Sequence, residues 1–154
     1  MEYKEYEPGQ EQIISELVWE VFEKFEAPEY PEAGIATFKT YIAADNLKEL
    51  VLTSDYRMYC CFDSEQLLGV ITIRDQTHIS LLFVREEFHR KGIARNLLKF
   101  ALDNQSENKK LSHITVNSSP YARTVYERMG FKAITELQEK DGILFIPMIK
   151  KLIS

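Results

Sequence analysis

The chain has 154 residues, 45% of them hydrophobic and 28% charged, with a formal net charge of −5 at pH 7. That is enough for one domain with a real core. No apolar run is long enough to span a bilayer, the acidic N-terminal stretch differs from a secretory or transit leader, and the charge argues against nucleic acid as a partner. A cytoplasmic protein with no membrane contact is the expectation.

The charge is unevenly spread. Residues 1–34 hold ten glutamates against Lys4 and Lys24, a net −8, whereas the remainder is +3. Such a segment is either a set of solvated helix faces or an acidic rim that attracts a cationic substrate. The two cysteines, Cys60 and Cys61, are adjacent on an expected strand, where successive side chains point to opposite faces. A disulfide between them is therefore not expected, and one should be core and the other half-exposed.

In chain order, Tyr3–Glu7 reads as a short strand closed by Pro8-Gly9. Ile13, Ile14, Leu17, Val18, Val21 and Phe22 then follow the i, i+3/i+4 spacing of an amphipathic helix from Gln10 to Phe25. Pro28 and Pro31 break it, and a second helix is expected from Glu32 to Ala44. Strands over Arg57–Phe62 and Leu67–Ile73 flank a hairpin turn at Asp63-Ser64-Glu65-Gln66. Asp75-Gln76 turns the chain into a strand over His78–Val84.

A helix from Gly92 to Asn104, a strand at Ile114–Asn117 and a short helix near Ala122–Met129 come next. Phe131–Leu137 and Ile143–Ile149 read as a last hairpin around Asp141-Gly142. The short turns demand antiparallel pairing, while the Gly92–Asn104 helix is long enough to join two parallel strands. A mixed α+β sheet with one β-α-β unit near its centre follows.

The segment from Leu81 to Leu98 carries the chemistry. An apolar strand ends in a charged turn, His89-Arg90-Lys91-Gly92-Ile93-Ala94-Arg95, which opens a helix. The first N–H groups of a helix lack partners and sit at the positive end of its dipole, so this turn is suited to phosphate. No Gly-Lys-Ser/Thr and no G-x-G-x-x-G after a strand are present, which excludes the nucleoside-triphosphate loop and the dinucleotide fingerprint. The three histidines lack metal-ligand spacing, and no metal is expected.

The stretch Val84 to Leu98 resembles the acyl-CoA-binding motif of the GNAT superfamily of N-acetyltransferases, Gln/Arg-x-x-Gly-x-Gly/Ala, with His89 in place of the usual Gln or Arg. Residues Val116 to Phe131 resemble the next motif of that family, a strand-end Asn followed by Ala-x-x-x-Tyr-x-x-x-Gly-Phe. The resemblance covers roughly residues 55–150. It implies a single domain over 1–154, with N-terminal helices on the acceptor side (1–54), sheet and CoA motif (55–117), and second motif with C-terminal hairpin (118–154). About seven mostly antiparallel strands and about four helices are expected.

The resemblance also implies roles. Amides from Arg90 to Arg95 would cradle the pyrophosphate, with Gly92 and Ala94 small enough for close approach and Arg90, Lys91 and Arg95 adding charge. Main-chain groups of Leu82 and Val84, flanking Phe83, would pair with pantetheine, and Asn117 and Ser119 would meet the same arm. Tyr126 would protonate the departing thiolate, a task suited to a phenol with an ordinary pKa of ~10. His78, on the same strand face as Ser80 and Leu82 by alternation, is the candidate base, with Glu29 or Glu32 as rivals. The expected reaction is direct acetyl transfer from acetyl-CoA to a primary amine, the acceptor a small cationic amine or a protein amine. A non-catalytic CoA-binding module is the alternative. An edge strand or the last hairpin would serve a homodimer.

Overall fold

The computed structural model describes residues 1–105 and 111–152. Strand β1 (Glu2–Glu5) is followed by three helices, α1 (Glu11–Phe25), α2 (Glu32–Tyr41) and α3 (Ala44–Thr53), with a 3₁₀ turn at Ala27–Glu29 between the first two. A meander of β2 (Tyr56–Asp63), β3 (Gln66–Arg74) and β4 (His78–Val84) comes next. Then α4 (Ile93–Gln105) crosses to β5 (His113–Ser118), and α5 (Arg123–Arg128) precedes β6 (Lys132–Ala133), β7 (Gln138–Lys140) and β8 (Ile143–Lys151).

These strands form a sheet in the order β1-β2-β3-β4-β5-β8-β6, with β7 also pairing β8. Only β4 and β5 run parallel, joined by α4, so the β-α-β unit lies mid-sheet as expected. No described helix is long and apolar enough to cross a membrane.

Helices cover both faces. On one, Ile14, Leu17, Val18 and Phe22 of α1 pack with Met58, Cys60, Val70, Leu81 and Phe83. On the other, Leu97, Leu98 and Ala101 of α4 and Tyr126 of α5 pack with Tyr59, Cys61, Ile71, Ile73 and Ile79. Burying each such side chain is worth roughly 1.5–3 kcal/mol, so the two layers supply most of the stabilisation.

This arrangement corrects the reading of the cysteines: both are fully buried and free, because neither face of β2 is open to water. It also adds a helix. The second predicted helix stops at Tyr41, whose carbonyl accepts from Asn46 Nδ2 at 2.6 Å, and Ala43 is extended before α3 begins. Leu47, Leu50 and Val51 then pack α3 into the α1 layer.

The predicted strand at Phe131–Leu137 is mostly absent. Only Lys132–Ala133 pairs with β8, and Ile134 and Leu137 are exposed. The last hairpin is instead β7–β8, turning at Asp141 (φ 54°) and Gly142 (φ 80°) between paired Lys140 and Ile143. Two left-handed residues in a two-residue loop match the strand twist, the reason Asp-Gly is favoured there.

Candidate active site

The parallel ladder between β4 and β5 pairs only His78 with Thr115 and Ile79 with Val116. Beyond that point β5 runs on beside β8, with Asn117 opposite Pro147 and Ser118 opposite Ile146. The two central strands therefore part like the arms of a fork.

The divergence begins at a bulge. Ile73 pairs with Ile79 and Thr72 with Leu81, so Ser80 is an extra residue in β4. An inserted residue reverses the alternation beyond it. Ile79 and Leu82 consequently share one layer, whereas Leu81 and Phe83 pack in the other. His78 and Leu82 thus face opposite sides of the sheet, which overturns the same-face expectation. The Ser80 hydroxyl is buried and has no hydrogen-bond partner among the described residues.

The hydrogen-bond phase of β4 follows from one contact. Arg85 N–H donates to Leu68 O at 2.8 Å, so the Leu68–Arg85 position is a bonded one. Bonded and non-bonded pairs alternate in an antiparallel ladder. The Gly69–Val84 and Ile71–Leu82 pairs are then non-bonded, and the main-chain groups of Leu82 and Val84 point away from β3, into the fork.

The turn after Val84 is held from below. Arg85 Nε donates to Leu67 O at 2.7 Å and Nη1 to Glu20 at 2.8 Å. Arg90 (φ 63°) and Gly92 (φ 81°) are both left-handed. Asn96 N–H donates to Gly92 O at 2.9 Å, so Gly92 begins the helix and the amides of Ile93, Ala94 and Arg95 have no intrahelical acceptor.

A Cβ on Gly92 would meet nothing within 4 Å, so the space beside this turn is open. A side chain there costs about 1–2 kcal/mol for its backbone conformation. Gly92→Ala is therefore expected to lower the melting temperature by a few degrees and to weaken coenzyme A binding about tenfold, a difference of ~1.4 kcal/mol. Calorimetric titration with coenzyme A checks this; unchanged affinity would remove the turn from the donor site.

Two cavities flank the fork. One of about 490 Å³ is lined by Leu82, Phe83, Val84, His89, Arg90, Gly92, Ile93, Ala94, Arg95 and Tyr126 among others. These are most of the residues expected to hold the donor. A second, of about 520 Å³, lies under α2 and the β7–β8 tip and is lined by His78, Ser80, Asn117, Ser119, Arg74 and Lys140, among others. Asn117 and Ser119 thus belong to the second cavity, and Lys91 lines neither, its ammonium lying 5.4 Å from the Phe88 ring centre. Five residues line both cavities: Glu26, Leu82, Phe83, Ala122 and Tyr126.

Several side chains serve structure as well as the cavity. Arg95 Nη2 donates to Arg128 O at 2.9 Å, tying α4 to α5. His89 Nε2 lies 2.6 Å from Val84 O, so position 89 has a definite role: its imidazole engages a carbonyl that opens into the fork. Ser119 Oγ accepts from Ala122 N–H at 3.1 Å and shapes the entry to α5.

Tyr126 is buried on α5, edge-on to Phe131 with ring centres 5.4 Å apart. Burial, and then the nearby Glu26 carboxylate, push its phenol pKa upward, so it stays protonated. His78 sits at the closed foot of the fork, four residues and ~13 Å of strand from Leu82. Its Nδ1 is 2.8 Å from the Thr115 hydroxyl. Burial and then Arg74 push its pKa down to about 4, opposite to what a base working near pH 7 needs.

Glu26, at the C-terminal end of α1, is the functional candidate that sequence reasoning did not find. Burial raises its pKa to about 7, partly offset by the Ser119 side chain and reinforced by Glu29. It is the only one of the ten N-terminal glutamates to line either cavity.

Residues 26–152 match the family model described as an acetyltransferase (GNAT) domain. The chain belongs to the GNAT acetyltransferase family. It is 26% identical over 136 residues to the uncharacterized N-acetyltransferase YafP of Escherichia coli, covering 88% of this chain and 84% of that one. It is also 30% identical over 82 residues to the UPF0157 protein YqkA of Bacillus subtilis, a match that covers 51% of this chain but only 24% of that protein.

Solved structures share the fold. A GCN5-related N-acetyltransferase from Rhodopseudomonas palustris superposes with a TM-score of 0.81 at 16% identity, covering 98% of this chain and 95% of that one. The PaiA N-acetyltransferase of Thermoplasma acidophilum, solved with coenzyme A, gives 0.77 at 20% identity, covering 97% and 98%.

Proposed function

We propose that the protein moves an acetyl group from acetyl-CoA to a small primary amine by direct attack in a ternary complex. The observation that carries this reading is the wall common to the two cavities, where Leu82 and Tyr126 stand between a phosphate turn and a separate second cavity. The amides of Ile93 to Arg95 and the charge of Arg90 would hold the pyrophosphate. Leu82 and Val84 would supply strand-like hydrogen bonds to the pantetheine amides, with His89 releasing or sharing the Val84 carbonyl.

The Leu82 N–H points into the fork and would stabilise the charge that develops on the thioester oxygen. Tyr126 would give its proton to the departing sulfur. The acceptor would occupy the 520 Å³ cavity, with the buried Ser80 hydroxyl as one of its polar contacts. Of the ten N-terminal glutamates only Glu26 lines either cavity.

Incubation with acetyl-CoA and a panel of amines, following free thiol, tests the reading. Acetyl-CoA should raise the melting temperature, and at least one small primary amine should release thiol above hydrolysis. A thermal shift with no amine-dependent thiol would instead favour a module that binds CoA without catalysis.

A further inference from the structure

From the position of Glu26 we infer that its carboxylate takes the proton from the acceptor ammonium, making it the catalytic base of the acetyl transfer. This rests on the acetyl-transfer reading above and extends it to a residue on the acceptor side of the reaction.

Three placements support it. Glu26 closes α1, its N–H bonded to Phe22 O at 2.9 Å, and the 3₁₀ turn that follows fixes it, with Glu29 N–H on Glu26 O at 3.0 Å. It lines both cavities, as Tyr126 does, so acid and base flank one reaction space from different elements, α5 and α1. Apart from the Ser119 side chain, which hydrogen-bonds its carboxylate, its close neighbours are acidic or phenolic. The ionisable groups facing it are Glu29 and Tyr30 on its own turn, and Tyr121 and Tyr126 across the cleft. No described lysine or arginine acts on its carboxylate, so nothing fixes it as a permanently paired anion.

The second-cavity cations, Arg74 and Lys140, line the same space as Glu26 without pairing with it, and Arg74 is bound to Asp75 at 3.4 Å. His89, Arg90, Arg95 and Arg128, with Tyr121 and Tyr126, are the charged or titratable groups that line the first cavity alongside it. A carboxylate so placed binds a proton at a pH near that at which the enzyme would work. An alkylammonium gives up its proton only in a small fraction of encounters at pH 7, and a nearby acceptor of matched basicity is what raises that fraction.

The step balances as follows. Glu26 accepts one proton from the ammonium and later returns it to solvent. The freed nitrogen lone pair forms the C–N bond, and the C–S bonding pair leaves with sulfur. Sulfur takes the Tyr126 proton, and the second nitrogen proton restores the phenol.

The test compares wild type with Glu26→Gln across pH, using thiol release with an alkylamine and with an aromatic amine that arrives neutral at pH 7. Expected is a limb in kcat/KM near pH 7 in wild type that Glu26→Gln abolishes. The alkylamine rate should fall roughly 100-fold, within the usual range for a general base. The aromatic amine should lose no more than about threefold by the same reasoning, and Glu26→Asp should restore the limb in part. Equal losses for both amines, or an unchanged limb in Glu26→Gln, would overturn the assignment. Wild type that releases thiol with no amine fails the acetyl-transfer reading and this one with it, whereas normal turnover in Glu26→Gln fails this one alone.

Discussion

Replacing Tyr126 by Phe is expected to lower kcat about 100-fold, the lower end of the usual contribution of a positioned acid. Coenzyme A affinity should hardly change. The ring packs edge-on to Phe131, and phenylalanine preserves that contact and the buried volume. The hydroxyl alone is lost. Its proposed role is to quench a thiolate whose conjugate acid has a pKa near ~8.5, while the buried phenol stays protonated through the neutral range. Pre-steady-state thiol release should slow while equilibrium binding of coenzyme A stays within about twofold, a difference of ~0.4 kcal/mol. A variant with normal kcat would take Tyr126 out of the chemistry and leave it as a core residue.

Gly34→Ala should produce the largest structural effect, and in the direction opposite to helix propensity. Alanine in a helix interior is normally favoured over glycine by about 1 kcal/mol. Here a Cβ on Gly34 would overlap Gly142 O and lie 2.6 Å from Gly142 C, both backbone atoms of the β7–β8 turn. Neither can rotate away, so the hairpin tip must leave α2. The Tyr30 hydroxyl, which donates to Leu144 O at 3.1 Å, would lose its partner with it. Overpacking of this kind costs typically 1–3 kcal/mol and outweighs the propensity gain.

A melting temperature roughly 2–8 °C lower is the expected result for a chain of this size. The functional consequence is selective. The hairpin tip and α2 line only the second cavity, the proposed acceptor site, so the amine KM should rise while coenzyme A affinity holds. A variant as stable as wild type, with an unchanged amine KM, would show that the contact is not a constraint.

What the sequence made legible was local. The turn after β4 is a run of contiguous residues, and its left-handed Gly92 and the helix that follows are written in small residues and apolar spacing. The Leu82–Val84 edge was legible for the same reason. The bulge at Ser80 was not, because an inserted residue leaves no mark on composition, yet it moves Leu82 to the face opposite His78. Helix α3 carries Leu47, Leu50 and Val51 at helical spacing, but it starts after Ala43, which offers no side-chain cap, only two residues beyond α2. Glu26 was least legible of all. Its setting is made by Ser119, Tyr121 and Tyr126, some hundred positions away in the chain, and nothing near residue 26 announces them.

The two cavities draw on largely separate stretches of chain. The proposed donor cavity is lined chiefly by residues 82–95 and 121–129, and the proposed acceptor cavity chiefly by residues 30–41, 74–83, 116–119 and 140–145. On the proposed function, substrate choice and cofactor handling are written in different passages of the gene, sharing only the junction wall. New acceptors could then be tried by rewriting α2 and the hairpin tip while the proposed donor side is inherited whole.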